Sequence, residues 1–93
     1  MDSLLQLFLN NGDFNSGLYE GMVRGRERFG GTHVPHGRGV INYFTNDALQ
    51  RLNYTGEWRD GDREGSGTTW FRDGTVYVGG YKAGMEHGDG RIE

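Results

Sequence analysis

The sequence predicts an all-β protein made of consecutive antiparallel hairpins, and three observations carry that prediction. Apolar residues make up only 33% of the 93 positions, while 18 are glycine and 13% are aromatic, so rings and bare backbone replace aliphatic bulk. A disordered chain lacks that aromatic content, and this one reads as folded. A motif of six fixed positions also recurs at an offset of 23 residues: Tyr54, Gly56, Trp58, Gly61, Gly65 and Gly67 are matched by Tyr77, Gly79, Tyr81, Gly84, Gly88 and Gly90. Inside the motif the first ring, the first glycine and the second ring fall two apart, which is the period of a strand and not of a helix.

Taken in order, residues 1–18 read as a flanking element. Ser3 to Leu9 is apolar at 4, 5, 7, 8 and 9, which suits either a strand or a short helix capped by Ser3 and stopped at Asn10-Asn11-Gly12. Residues 19–53 read as an irregular first unit, opened by Tyr19-x-Gly21-x-Val23 and closed by Gly37-Arg38-Gly39. Two insertions distort it, of seven residues before Gly37 and of five before Tyr54, relative to the regular spacing. The first makes Arg24 to Pro35 a long loop. The second makes 45–51 an enlarged hairpin loop with room for one helical turn. A rival register that pairs Phe14, Gly21 and Gly25 with Tyr54, Gly61 and Gly65 loses the two-glycine finish.

Residues 54–76 form the second unit. Tyr54, Gly56 and Trp58 share one face, while Thr55, Glu57 and Arg59 form the polar one. Gly61 to Glu64 make a turn, a strand returns from Gly65 to Phe71, and Arg72-Asp73-Gly74 has the chemistry of the next turn. Residues 77–93 repeat the pattern as a truncated third unit. Strands are thus expected near 17–23, 37–44, 52–59, 65–71, 75–81 and 87–92. Glycine weakens a strand, so four per unit require a reason, and the reason is space for a neighbouring ring to lie over bare backbone.

The pattern Y-x-G-x-W-x-x-G-x-x-x-G-x-G, followed by Asp73-Gly74 and a fresh Tyr77, resembles the MORN (membrane occupation and recognition nexus) repeat closely over 54–93, and over 19–53 only with the insertions. The resemblance implies one single-layer, twisted antiparallel sheet of stacked hairpins, a solenoid with no helix inside the repeats. It also implies no catalytic activity of the repeats, which occur as scaffolds, dimerisation modules and attachments to catalytic domains and are credited with phospholipid binding.

Other chemistry is excluded residue by residue. Asp60-Gly61-Asp62-Arg63-Glu64-Gly65 starts like a calcium loop, but Phe71 stands where the bidentate Glu is required. His33 and His36 flank Pro35 with no third ligand, and the chain has no cysteine, so no metal site is expected. Ser66 lies between two glycines without the G-x-S-x-G elbow or a base, and Gly25 to Gly31 lacks the Lys-Ser/Thr of a phosphate loop. No catalytic residue and no cofactor is therefore expected.

The formal charge is −3, with five basic and five acidic residues up to Arg51 and five against eight beyond it, so no nucleic-acid partner is expected. The chain reads as a protein–protein interaction and dimerisation scaffold, with Tyr54, Trp58, Tyr77 and Tyr81 lining the partner-binding groove. The alternative is a peripheral phospholipid-binding module that uses Arg24, Arg26 and Arg28, the only basic cluster. With no secretory signal in Met1 to Leu9, the expected location is cytoplasmic, with cytoskeletal or membrane association. Gly88 to Glu93 reads as a returning strand with an open edge, and closure of that edge by a second identical chain about a two-fold axis is favoured over continuation into further repeats.

Overall fold

The computed structural model describes residues 2–10, 16–26 and 32–93. They form seven strands: β1 (Asp2–Asn10), β2 (Ser16–Arg26), β3 (Thr32–Tyr43), β4 (Arg51–Arg59), β5 (Asp62–Phe71), β6 (Val76–Lys82) and β7 (Met85–Ile92), with no helix among the described residues. Each strand pairs antiparallel with the next, giving one open sheet in chain order. The first element is the strand of the two alternatives. Leu7 and Leu9 are half-buried against the core while Gln6 and Phe8 are exposed, an alternation of two that a helix would not produce.

The Arg24–Pro35 loop is corrected. Val23 pairs with Pro35, Arg24 with Val34, Gly25 with His33 and Arg26 with Thr32, so residues 24–26 and 32–35 lengthen the hairpin, and residues 27–31 of the expected loop lie outside the described residues. Val23 and Val34 favour the pleated backbone, and Pro35, which lacks an N–H, offers its carbonyl to the amide of Gly61 at 2.8 Å. The second insertion is a hairpin loop of two successive turns, closed by Asp47 N–H to Phe44 O and Gln50 N–H to Asp47 O, without a helical turn.

Three hairpins share one geometry. Glycine faces glycine in each, Gly21 against Gly39, Gly56 against Gly67 and Gly79 against Gly90. Two residues further along the first strand, the partners are Val23–Pro35, Trp58–Arg63 and Tyr81–Glu86, so the returning strand uses four residues where its partner uses two. That excess is a bulge, and Gly37, Gly65 and Gly88 sit in it with φ of 97°, 70° and 71°. The connecting turns are two residues long, Asp60-Gly61 and Ala83-Gly84, with positive φ at both positions as a type I′ turn demands.

The four-glycines-under-rings account therefore needs correction. Only the facing pairs lie beneath a ring: a Cβ on Gly67 would sit 2.3 Å from the Tyr54 ring, and one on Gly90 would sit 2.5 Å from that of Tyr77. Gly65 and Gly88 serve the bulge, and Gly61 and Gly84 serve the turn, because those backbones require positive φ.

Candidate functional site

One face of the sheet carries the core, formed by Tyr19, Val23, Ile41, Tyr43, Tyr54, Trp58, Tyr77 and Tyr81. In each unit the first tyrosine lies over the glycine pair and its hydroxyl donates three residues ahead, from Tyr54 to Glu57 O at 2.7 Å, from Tyr77 to Gly80 O at 3.1 Å and from Tyr19 to Met22 O. The second ring of the unit fills the gap between tyrosines of neighbouring units. Tyr19–Trp58, Trp58–Tyr54, Tyr54–Tyr81 and Tyr81–Tyr77 meet edge to face, with centroids 5.2, 5.2, 4.9 and 5.4 Å apart. Trp58 Nε1 donates to Gly39 O at 3.1 Å, and the Tyr81 hydroxyl is hydrogen-bonded to Thr69 Oγ1. Each edge-to-face pair adds about 0.5–1.5 kcal/mol beyond the area it buries, so the four together form a rigid aromatic ladder.

The structure thus brings together the four rings expected to line a groove, but buries them: Tyr54, Trp58, Tyr77 and Tyr81 are 0%, 3%, 6% and 3% exposed. They form a floor, and what stands at its rim is different. A cavity of about 520 Å³ opens on this face, with Leu49, Phe71 and Met85 among its walls and Arg51 and Arg63 also lining it. Arg51 is held by Asp47 through Nε–H at 3.0 Å, Nη2–H at 2.7 Å and its own amide at 2.9 Å, and lies 4.0 Å over the ring of Tyr43. Burial by itself would raise the Asp47 carboxyl, but the bonds from Arg51 outweigh it and hold the group below the usual carboxylate range.

Sequence reasoning missed Arg63, Asp47 and Arg51. For Arg63 a signal existed, because counting by twos back from Gly67, the glycine beneath Tyr54, puts Arg63 on the ring face. Reading Gly61 to Glu64 as a turn hid it, whereas β5 begins at Asp62. For Asp47 and Arg51 the sequence offers only an acid and a base four apart in a loop, a spacing equally at home in solvent.

The basic cluster is not gathered into one site by the described residues. Arg24 stands on β2 with its guanidinium 3.7 Å from Asp60 Oδ1, which is 3.7 Å from His36 Nδ1. Arg26 ends β2, and Arg28 lies outside the described residues.

Burial pushes the phenols of Tyr19 and Tyr81 up to about 12 and raises those of Tyr43, Tyr54 and Tyr77. A phenol whose folded pKa exceeds its unfolded value of 10.0 stabilises the fold fully below that value and loses its contribution as pH climbs through the folded one. Tyrosinate absorbance is therefore expected to stay flat through the range where free tyrosine titrates, then rise in one step with loss of the β signal in circular dichroism. A gradual rise with the sheet intact would show the phenols solvated.

A single open sheet with a ladder of rings laid over paired glycines defines a β-hairpin repeat module. The family model of the MORN repeat matches residues 54–76 and 77–92. MORN repeats are generally non-catalytic and mark protein- or membrane-interaction modules. Among curated proteins no match was found. No helix of the described residues is long and apolar enough to cross a membrane.

Proposed function

We propose that the chain is a non-catalytic protein-interaction and dimerisation scaffold, in which residues 19–53 serve as an irregular first unit ahead of the repeats at 54–76 and 77–93. The observation that carries the reading is the open cavity on the ring face, rimmed by Leu49 and Met85 at 60% and 64% exposed, with Arg63 between it and the rings of Tyr54 and Tyr81. A stiff floor beneath exposed apolar side chains limits the entropy lost when a partner docks. Tyr54 and Tyr81 stand behind Arg63 in that wall, and Trp58 and Tyr77 brace them edge to face. A phospholipid surface is the weaker reading, because Arg24 of its three arginines already faces Asp60.

Self-association is proposed through β7, whose side chains are all exposed and which pairs only with β6 among the described residues. Light scattering at micromolar concentration is expected to give a two-chain mass, and a monomer that stays folded on dilution would remove dimerisation. For other protein partners, Leu49→Ala and Met85→Ala are expected to weaken binding more than Glu57→Ala or Lys82→Ala, with circular dichroism unchanged. Equal losses at all four would move the contact off this face. Trp58→Ala and Tyr81→Ala also weaken the floor, so their binding is read beside thermal stability.

A further inference from the structure

Arg63 is 7% exposed on the ring face, a charged group taken out of water. Its guanidinium lies over two rings, 5.0 Å from the Tyr81 centroid and 5.7 Å from that of Tyr54, and Nη2–H donates to Gly84 O. Nε–H, however, meets no acceptor among the described residues, and no ion pair among them involves Arg63. Its neighbour in the same cavity contrasts with it, since Arg51 is matched by the Asp47 carboxylate. Buried charges are ordinarily paired, so the uncompensated positive charge of this cavity belongs to Arg63. Glu86, which also lines the cavity, is exposed and outside ion-pair distance of Arg63.

Apart from Thr69, whose hydroxyl is hydrogen-bonded to Tyr81, the remaining walls are apolar, and about 520 Å³ is the size of a site that takes one or two side chains. We propose that Arg63 and the wall beside it bind an acidic segment of a partner protein, the carboxylate of an Asp or Glu meeting the guanidinium while an adjacent aliphatic side chain rests on Leu49 and Met85. This rests on the ring face being the docking face. Charge complementarity selects the carboxylate, because a charge-assisted bond to a guanidinium is strongest where water is excluded. The apolar wall selects against a bare inorganic anion, which leaves Leu49 and Met85 uncovered. The chain's net charge of −3 disfavours an anionic membrane, which meets that charge across a broad surface where a short peptide meets one cavity. Because the Glu86 charge at the rim repels an incoming carboxylate that Arg63 attracts, the two positions affect binding in opposite directions.

The probes are acetyl-Leu-Glu-Leu-amide and its uncharged isostere acetyl-Leu-Gln-Leu-amide, each titrated into the full chain with the arginine Nε–H and methionine methyl resonances followed by NMR. The Glu peptide is expected to shift Arg63 Nε–H and the Met85 methyl together and to bind roughly ten-fold tighter than the Gln peptide. Arg63→Met is expected to abolish that preference. Glu86→Gln, an exposed change that leaves the fold intact, is expected to tighten the Glu peptide by roughly two- to five-fold and the Gln peptide not at all. Should Arg63→Met fail to fold, the Glu/Gln comparison on the natural chain and the Glu86→Gln result still decide the matter. Equal binding of both peptides at these resonances would overturn the carboxylate recognition and leave the ring face as a docking site. Shifts confined to the opposite face would overturn both, and a larger response of these resonances to phosphatidylserine vesicles would assign the site to membrane instead.

Discussion

Replacing Asp47 with alanine is expected to lower the unfolding free energy by about 3–5 kcal/mol, the largest single-site electrostatic effect expected among the described residues. Arg51 is 1% exposed, and Asp47 is ion-paired with it at 2.7 Å. Removing the carboxylate takes away its bonds to the Arg51 guanidinium beside Tyr43 and to the Arg51 amide, while the backbone bonds of the two turns remain. A domain of this size has roughly 5–15 kcal/mol in total, so the variant sits near the edge of folding. The double variant Asp47→Ala, Arg51→Met is expected to recover most of the loss, because an apolar replacement of a buried pair is often neutral once no charge is stranded. Denaturant unfolding followed by tryptophan fluorescence reads both, and a loss under about 1 kcal/mol in the single variant would show the pair to be solvated. The pH response has a definite sign. The Asp47 carboxyl is lowered in the fold, so its contribution is present above the usual carboxylate range and is lost as pH falls through the lowered value.

The hairpin frame was legible because the motif is periodic in the two senses that matter, every two residues within a strand and every 23 along the chain. Tyr54, Gly56 and Trp58 announce a face, and Tyr77, Gly79 and Tyr81 announce it again. Less legible was how the four glycines divide their tasks. All look alike in sequence, yet Gly67 clears space for a ring, Gly65 takes the positive φ of a bulge and Gly61 that of a type I′ turn, distinctions that depend on backbone angles and on which strand comes opposite. The first unit was misread for a related reason. Arg24 to Pro35 has no glycine-aromatic pattern, so its pairing rests on β propensity and register inherited from Gly21 and Gly39, neither of which is a local signal. The candidate site was legible in its floor and hidden in its polar part. Arg63 is concealed by a bulge that keeps it in phase with Gly67 across intervening residues that look like a turn, and Asp47 and Arg51 become a buried pair only because the 44–50 loop folds against Tyr43.

Valine at Gly67 tests whether that floor is as tightly fitted as the ladder implies. By propensity alone the change should help, since a branched residue suits a strand and glycine weakens one. The space forbids it. A Cβ at Gly67 would lie 2.3 Å from Cε1 of Tyr54, 2.4 Å from its hydroxyl and 2.5 Å from Cζ, so the ring itself must leave its place. Tyr54 is wedged edge-on between Trp58 and Tyr81, and its hydroxyl is fixed to Glu57 O, so a shift of this ring disturbs two aromatic contacts and a hydrogen bond together. The expected loss is about 3 kcal/mol, at the upper end of what overpacking costs. Gly25 supplies the control within the same sheet: a Cβ there would meet nothing closer than His33 Nε2 at 3.9 Å, and its φ lies outside the left-handed region. Gly25→Ala should therefore raise stability by about 0.5 kcal/mol through the ordinary cost of glycine in a strand. Thermal unfolding of the two variants beside the natural chain separates the explanations. If both shift the midpoint upward, propensity governs these positions and Tyr54 has room to move; if Gly67→Val falls while Gly25→Ala rises, the glycine beneath the ring is there for the ring.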